Sequence, residues 1–480
     1  MPSRKFIAYC WPIVVALFIA TLVTACGGNG SSGNGGGTPT PTPTPTPSTA
    51  NEWAWMSGSD TIGATGVYTT LGTPSTTNVP SARGGTVSWI DASGNLWLFG
   101  GQRDGSNNGD LNDLWEYSPT NKTWAWMGGS DTTGANGVYG TLGTPSTTNV
   151  PGARNSAVSW TDSSGNLWLF GGQGFASTGS GNLNDLWKFT PATRTWTWMG
   201  GSNTAGASGI YGSLDVPSAT NVPGARFRAV SWTDSSGNFW LFGGSGNDSG
   251  PYGGDLNDLW MYTPTNNTWT WMGGSSTAWA SGVYGTLGTP STTNVPGARG
   301  GAVSWTDAGG NLWLFGGQEH GTINDDLNDL WEYSPTKKTW TWVSGSDTTG
   351  ATGVYGLLGT PSLTNVPGAR NSAVSWTDSS GNLWLFGGAC SASTGNGNLN
   401  DLWEFNTATK MWTWMGGSNT NGANGVYGPL GIPSTSYVPG ARGGAVSWID
   451  SSGNFWLFGG VGEDGTGSGG LLNDLWRYQP

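Results

Sequence analysis

A tryptophan doublet, Trp-x-Trp, recurs six times along this 480-residue chain, at Trp53/Trp55, Trp124/Trp126, Trp196/Trp198, Trp269/Trp271, Trp340/Trp342 and Trp412/Trp414. Successive doublets lie 71, 72, 73, 71 and 72 residues apart. Each copy of the surrounding unit also carries a glycine pair followed by the string Leu-Asn-Asp-Leu-Trp. A chain written this way is constrained to fold as a repeat array, because no single unit can bury its apolar face without a neighbour.

The second copy shows what one unit folds into. Arg154 to Trp160 and Leu167 to Phe170 read as two strands around the turn-forming segment Asp162-Ser-Ser-Gly-Asn166. In Leu-Trp-Leu-Phe, alternation sends Leu167 and Leu169 to one face and Trp168 and Phe170 to the other, so both faces are apolar and both need covering. Gly171-Gly172 is expected to end that strand. A variable Gly/Ser/Asn run follows, and then two more strands across the short turn Thr190 to Arg194. Four antiparallel strands per unit is the blade of a β-propeller.

These units resemble the kelch repeat, whose motif sets a glycine doublet after the second strand, an Asp and an aromatic in the third, and a Trp after a short turn. Here those are Gly171-Gly172, Asp185 with Trp187 and Phe189, and Trp196. The resemblance covers 52–480 and implies an all-β, six-bladed kelch-type propeller. It says little about activity, since one fold hosts enzymes, adaptors and ligand-binding modules. The first unit supplies a lone fourth strand, Glu52 to Met56, and the last stops at a third strand, Asp474 to Tyr478. The ring is therefore expected to close with the N-terminal strand completing the last blade.

The N-terminal segment sets an expected address. Arg4 and Lys5 precede an apolar stretch from Phe6 to Val23, interrupted by Pro12 and ending Val23-Thr-Ala-Cys26. This reads as an export signal over 1–25. Its end resembles the lipobox of bacterial lipoproteins, which implies lipidation of Cys26; the rivals are a simple cleaved signal and an uncleaved anchor. Residues 26–50 form a Gly/Ser and Thr-Pro linker, whose five Thr-Pro pairs reach about 30 Å as polyproline II. The propeller then occupies 51–480, outside the cytoplasm and tethered to a membrane of the bacterial envelope.

Composition narrows the partners. Without Arg4 and Lys5 the chain keeps 15 basic residues against 29 acidic ones, and only 10% of all its residues are charged. So lysine-poor and acidic a surface argues against nucleic acid and against a polybasic lipid contact. Cys10 leaves with the signal and Cys26 with the lipid, so Cys390 has no disulfide partner. Of 32 tryptophans, Trp11 is in the signal and Trp279 is a loop singleton; the other 30 fall five to a blade and belong to the scaffold. No metal or other cofactor is expected. Only Asp110, Asp255, Asp325 and Asp326 add carboxylates near Leu-Asn-Asp-Leu-Trp, too few for a repeated oxygen cage. A single histidine, His320, cannot build the copper site of galactose oxidase, and no nucleophile elbow is present.

In an up-and-down blade, the loop after the second strand and the connection to the next blade emerge on one face. That places the variable runs and a segment of about 25 residues, such as Gly128 to Ala153, on a single long-loop face. Arg83, Arg154, Arg226, Arg299, Arg370 and Arg442 begin the innermost strands. Six guanidinium groups around a channel mouth could hold a carboxylate, sulfate or phosphate; alternatively each pairs with an aspartate or loop carbonyl of a neighbouring blade. The non-repeating candidates are Phe227, Arg228, Trp279, Glu319 and His320, with Arg103 and Tyr252 behind them. Two functions fit: a non-catalytic, monomeric module binding a glycan or protein partner, or a carbohydrate-active enzyme resembling kelch-fold sialic acid mutarotases. In the second, Arg228 or the arginine ring would hold the sugar carboxylate and Glu319 would be a base.

Overall fold

The computed structural model describes residues 50–480 apart from 106–108, 251–252, 320–324 and 393–394. Cys26, Tyr252 and His320 lie outside the described residues, as do the leader and linker. The described residues contain strands and no helix, in six antiparallel sheets that we number as blades 1 to 6 in chain order.

Each hairpin forms for the reason its turn suggests. Asp162 Oδ1 accepts from the amides of Ser164 and Asn166, both at 2.9 Å, and Oδ2 accepts from the indole Nε1 of Trp168 at 2.9 Å. Leu167–Phe175 then runs between two blades. Leu167 and Leu169 pack with Trp97 and Phe99 of blade 1, whereas Trp168 and Phe170 pack with Leu241 and Trp260 of blade 3. All four are at most 3% exposed, so the inter-blade seam is the core.

The glycine pair does not end this strand, as its sequence suggests, except in blade 1, where the strand is Leu96–Phe99. Elsewhere the strand bulges at the pair and continues, pairing Gln173 with Asn182 and Phe175 with Ser180. Gly171 and Gly172 have φ of 67° and 98°. A Cβ on Gly171 would stand 2.8 Å from the Arg226 carbonyl of the next blade, so position and approach both require glycine.

Closure is as the chain ends suggest. Glu52–Ser57 is the outermost strand of blade 6, antiparallel to Gly469–Gln479, with Trp53 opposite Tyr478 and Trp55 opposite Trp476. Three closed belts of hydrogen bonds tie the blades around the axis. Six backbone amides at Gly85, Ser156, Arg228, Gly301, Ser372 and Gly444 each donate to the same position of the preceding blade at 2.6–2.9 Å. Below them the hydroxyls of Ser88, Ser159, Ser231, Ser304, Ser375 and Ser447 donate to the preceding serine carbonyl at 3.0–3.2 Å. In the opposite sense, each innermost-strand indole, such as that of Trp89, donates to the following blade at 2.9–3.3 Å.

The long connecting segments take a different course from the one expected. Each runs down the perimeter as a strap on the outermost strand of the next blade. Gly143 N donates to Trp198 O at 2.8 Å, Ser146 N to Trp196 O at 3.1 Å, and Asn149 Nδ2 to Trp196 O at 3.1 Å; the other five straps repeat the two backbone bonds, and four of them the asparagine bond, Tyr437 replacing the asparagine on blade 6. An uncovered fourth strand would present unpaired carbonyls, and the strap blunts that edge. Its length therefore serves the scaffold.

Candidate functional site

The arginine ring is not open to a ligand. Arg83, Arg154, Arg226, Arg299, Arg370 and Arg442 are each at most 1% exposed. Each forms a two-pronged ion pair with the aspartate of Leu-Asn-Asp-Leu-Trp in its own blade, not a neighbouring one. The partners are Asp113, Asp185, Asp258, Asp329, Asp401 and Asp474, with Nη1 to Oδ1 at 2.6–2.7 Å. In blade 2, Arg154 Nη2 reaches Asp185 Oδ2 at 2.7 Å, while Nε and Nη1 donate to the carbonyls of Gly152 and Gly171. Asp185 Oδ2 also accepts from the Tyr139 hydroxyl of the strap and from Trp187 Nε1, each at 2.7 Å.

Burial by itself would lower each guanidinium's pKa, but the adjacent carboxylate outweighs it and holds the six above their usual value. The same burial and carboxylate push the strap tyrosines up. Asn184 completes the string, donating to Pro223 O and accepting from Ser202 N. These motifs join strap, glycine pair and third strand, so they are structural.

Divergence between copies lies above the amide belt. Counting from the arginine, the next two residues are Gly-Gly, Asn-Ser, Phe-Arg, Gly-Gly, Asn-Ser and Gly-Gly in blades 1 to 6. Blades 1 and 2 thus match blades 4 and 5, and blade 3 differs from blade 6. The matching pairs are built alike: Asp110 of blade 1 accepts from Asn155 Nδ2 of blade 2, and Asp326 of blade 4 from Asn371 Nδ2 of blade 5, both at 2.8 Å. Blades 3 and 6 sit opposite each other in a ring of six.

Blade 3 presents Arg228, Ser245 and Asp255, where blade 6 presents Gly444, Val461 and Leu471. Ser245 donates to Asp255 Oδ1. Arg228 leans across blade 4, donating to Gln318 Oε1 at 3.4 Å and, in blade 5, to Asn371 Oδ1 at 2.8 Å and Ser372 Oγ at 3.4 Å. Gly301 makes this possible, since a Cβ there would stand 2.7 Å from Arg228 Nη2. Burial lowers the Arg228 pKa, and the charges of Asp255 and Asp326 oppose that. On the facing wall Val461 is 48% exposed, and with Leu471 it lines the space over Gly84. One wall of the mouth is polar and charged, and the other aliphatic.

Between blades 1 and 2, Asp110 lines a polar cavity of about 200 Å³ with Gln102, Asn155, Gln173 and Ser180. Burial, with the charge of Asp104 adding, raises its carboxyl from the usual 3.8 to about 6; the Asn155 hydrogen bond and Arg154 oppose the shift. A carboxyl raised in the fold contributes stability below its unfolded pKa, which is lost as pH rises through about 6. Asp110→Asn is therefore expected to stabilise the protein at pH 7.5 by up to about 3 kcal/mol and to be nearly neutral at pH 4. Urea unfolding at the two pH values checks this; equal effects at both would contradict the shift.

The remaining candidates are scattered. Phe227 is half-buried opposite Ser245 on the blade 3 hairpin. Glu319 packs over Gly297, and its charge bears on Tyr284 and Arg299. Trp279 is 47% exposed on the strap leaving blade 3. Cys390 is buried in a strand opposite Arg370. Among the described residues no group of His, Cys, Asp and Glu side chains is placed to hold a metal ion.

The fold and repeated motifs define a kelch-like six-bladed β-propeller. Among solved structures the chain is similar to one described as the structure of YjhT, with a TM-score of 0.50 at 15% identity, over 83% of this chain and 95% of that one. At that identity the likeness speaks for the fold alone. No family model and no curated protein matches the sequence.

Proposed function

We propose that this protein is an envelope-displayed carbohydrate-binding module, tethered through a lipidated Cys26, whose glycan ligand sits at the channel mouth between blades 3 and 6. The observation that carries the reading is the pair of opposed walls. Arg228 and Ser245 offer donors and an acceptor for hydroxyls, with the buried Asp255 holding the Ser245 hydroxyl, and Val461 and Leu471 offer an apolar surface for the C–H face of a sugar ring. The leader, the Thr-Pro linker and the acidic charge support an extracytoplasmic module with no nucleic-acid partner. The test is a panel of neutral, amino and sialylated mono- to tetrasaccharides titrated against the full-length protein. Saturable binding is expected, with at least a tenfold loss in Ser245→Val/Asp255→Leu, which gives blade 3 the side chains of blade 6. Binding that survives this double change would sink the mouth as the site.

A second reading rests on Asp110. A carboxyl with a pKa of about 6, beside three carboxamides in a polar cavity, is poised for proton transfer, as ring opening in a sugar mutarotase requires. In that case proton NMR of a freshly dissolved anomer shows exchange faster than buffer, and Asp110→Asn abolishes the excess. A rate equal to buffer leaves the binding module.

A further inference from the structure

Blades 4 and 5 hold a guanidinium in a seat that blades 1 and 2 build again. The Arg228 side chain of blade 3 lies over Gly301 of blade 4 and donates to Gln318 Oε1, Asn371 Oδ1 and Ser372 Oγ. Asp326 lies near enough for its charge to act on Arg228, and it accepts from Asn371 Nδ2 at 2.8 Å. Three blades round the ring, the corresponding residues are Gly85, Gln102, Asn155, Ser156 and Asp110. Their backbones share one register: Gln102 pairs with Gly84 and Asp110, as Gln318 pairs with Gly300 and Asp326. Asn155 Nδ2 donates to Asp110 Oδ1, again at 2.8 Å. The cation is not repeated, because blade 6 has Gly444 where blade 3 has Arg228.

The seat in blades 1 and 2 is nonetheless made for a positive charge. Asp110, Asn155 and Gln102 line the polar cavity of about 200 Å³, and Gln173 and Ser180 of blade 2 line it with them. Asp110 is 2% exposed, and a buried carboxylate is costly until a cation meets it. Burial, with the charge of Asp104, therefore raises its pKa; Arg154, whose charge opposes the rise, is already paired with Asp185. We propose that this cavity is a binding site for the guanidinium of an arginine side chain on a separate peptide or protein, received by Asp110 and Asn155 as Arg228 is received between blades 4 and 5. A guanidinium presents a planar fork of donors, which suits a carboxylate set beside a carboxamide better than an ammonium point charge does.

This site goes beyond the glycan reading and is tested apart from it. N-acetyl-arginine amide, the lysine counterpart and the neutral isostere N-acetyl-citrulline amide are titrated against the full-length protein and followed by ligand proton NMR. The arginine compound is expected to bind saturably, more tightly than lysine and at least tenfold more tightly than citrulline. Asp110→Asn, expected to be no less stable than the unaltered protein at pH 7.5, should lose at least tenfold in arginine affinity. Gly444→Arg supplies the cation from blade 6, at a φ of 65° close to the 57° of Arg228, and should block the cavity to the same degree. If Gly444→Arg folds poorly, Asp110→Asn decides alone. No saturable arginine binding, citrulline bound as tightly as arginine, or arginine affinity unaltered in Asp110→Asn overturns the site, whatever the saccharide panel returns.

Discussion

Asp185→Ala is expected to destabilise the propeller by about 3–5 kcal/mol, because it strands the Arg154 guanidinium, 1% exposed, without its counter-charge. The loss extends beyond the ion pair. Tyr139 and Trp187 also surrender their acceptor, and the strap loses an anchor to the third strand. Replacing both members, Arg154→Met with Asp185→Leu, should recover much of the loss, since desolvating a buried pair offsets most of its attraction. Equilibrium unfolding in urea compares the three proteins. A single-residue effect below about 1 kcal/mol would mean that the pair is not the structural clamp its geometry indicates.

Deletion of the Glu52–Ser57 strand is expected to open the ring. That strand is the outer edge of blade 6 and buries Trp53 against Phe386 and Tyr478, with ring centroids 5.4 and 4.9 Å away. Burial of one such tryptophan contributes roughly 4–6 kcal/mol at about 25 cal/mol/Å². Without the strand, the edge of Gly469–Gln479 is bare, and a bare edge recruits other chains. The shortened protein should unfold at lower temperature, associate during gel filtration and be cleaved first within blade 6. An unchanged Tm would show that the blades hold together without the N-terminal strand.

The ring was readable because its determinants are local. Leu167 to Phe170 are apolar on both faces, and a strand of that kind has to lie between two others; the turn at Asp162 announces its own hydrogen bonds. The straps were not readable as such, because they dock through backbone amides to Trp196 and Trp198 and leave no apolar period in the sequence. Pairing of Arg154 with an aspartate was one of two readings open in the sequence, but not which aspartate, because the partner lies 31 residues along the chain in its own blade and not in a neighbouring one. Ser245, Asp255, Gln318, Asn371 and Ser372 were missed at the mouth, although Arg228 and Phe227 were singled out. Their signal lies in a different comparison: at the two positions after the arginine each unit matches the unit three further on, and there only blades 3 and 6 break the match. A six-fold alignment averages this difference away.

Uniform residues hold the ring, and the proposed ligand falls to the divergent ones. Arg228→Gly tests this division most directly, because glycine is the residue of blades 1, 4 and 6 at that position and relieves the backbone at φ 57°. Saccharide titration and thermal unfolding should be run on the same sample. Affinity should fall at least tenfold with Tm held or raised. Affinity unchanged, or a fall in Tm comparable with that of Asp185→Ala, would place Arg228 in the scaffold and contradict that division.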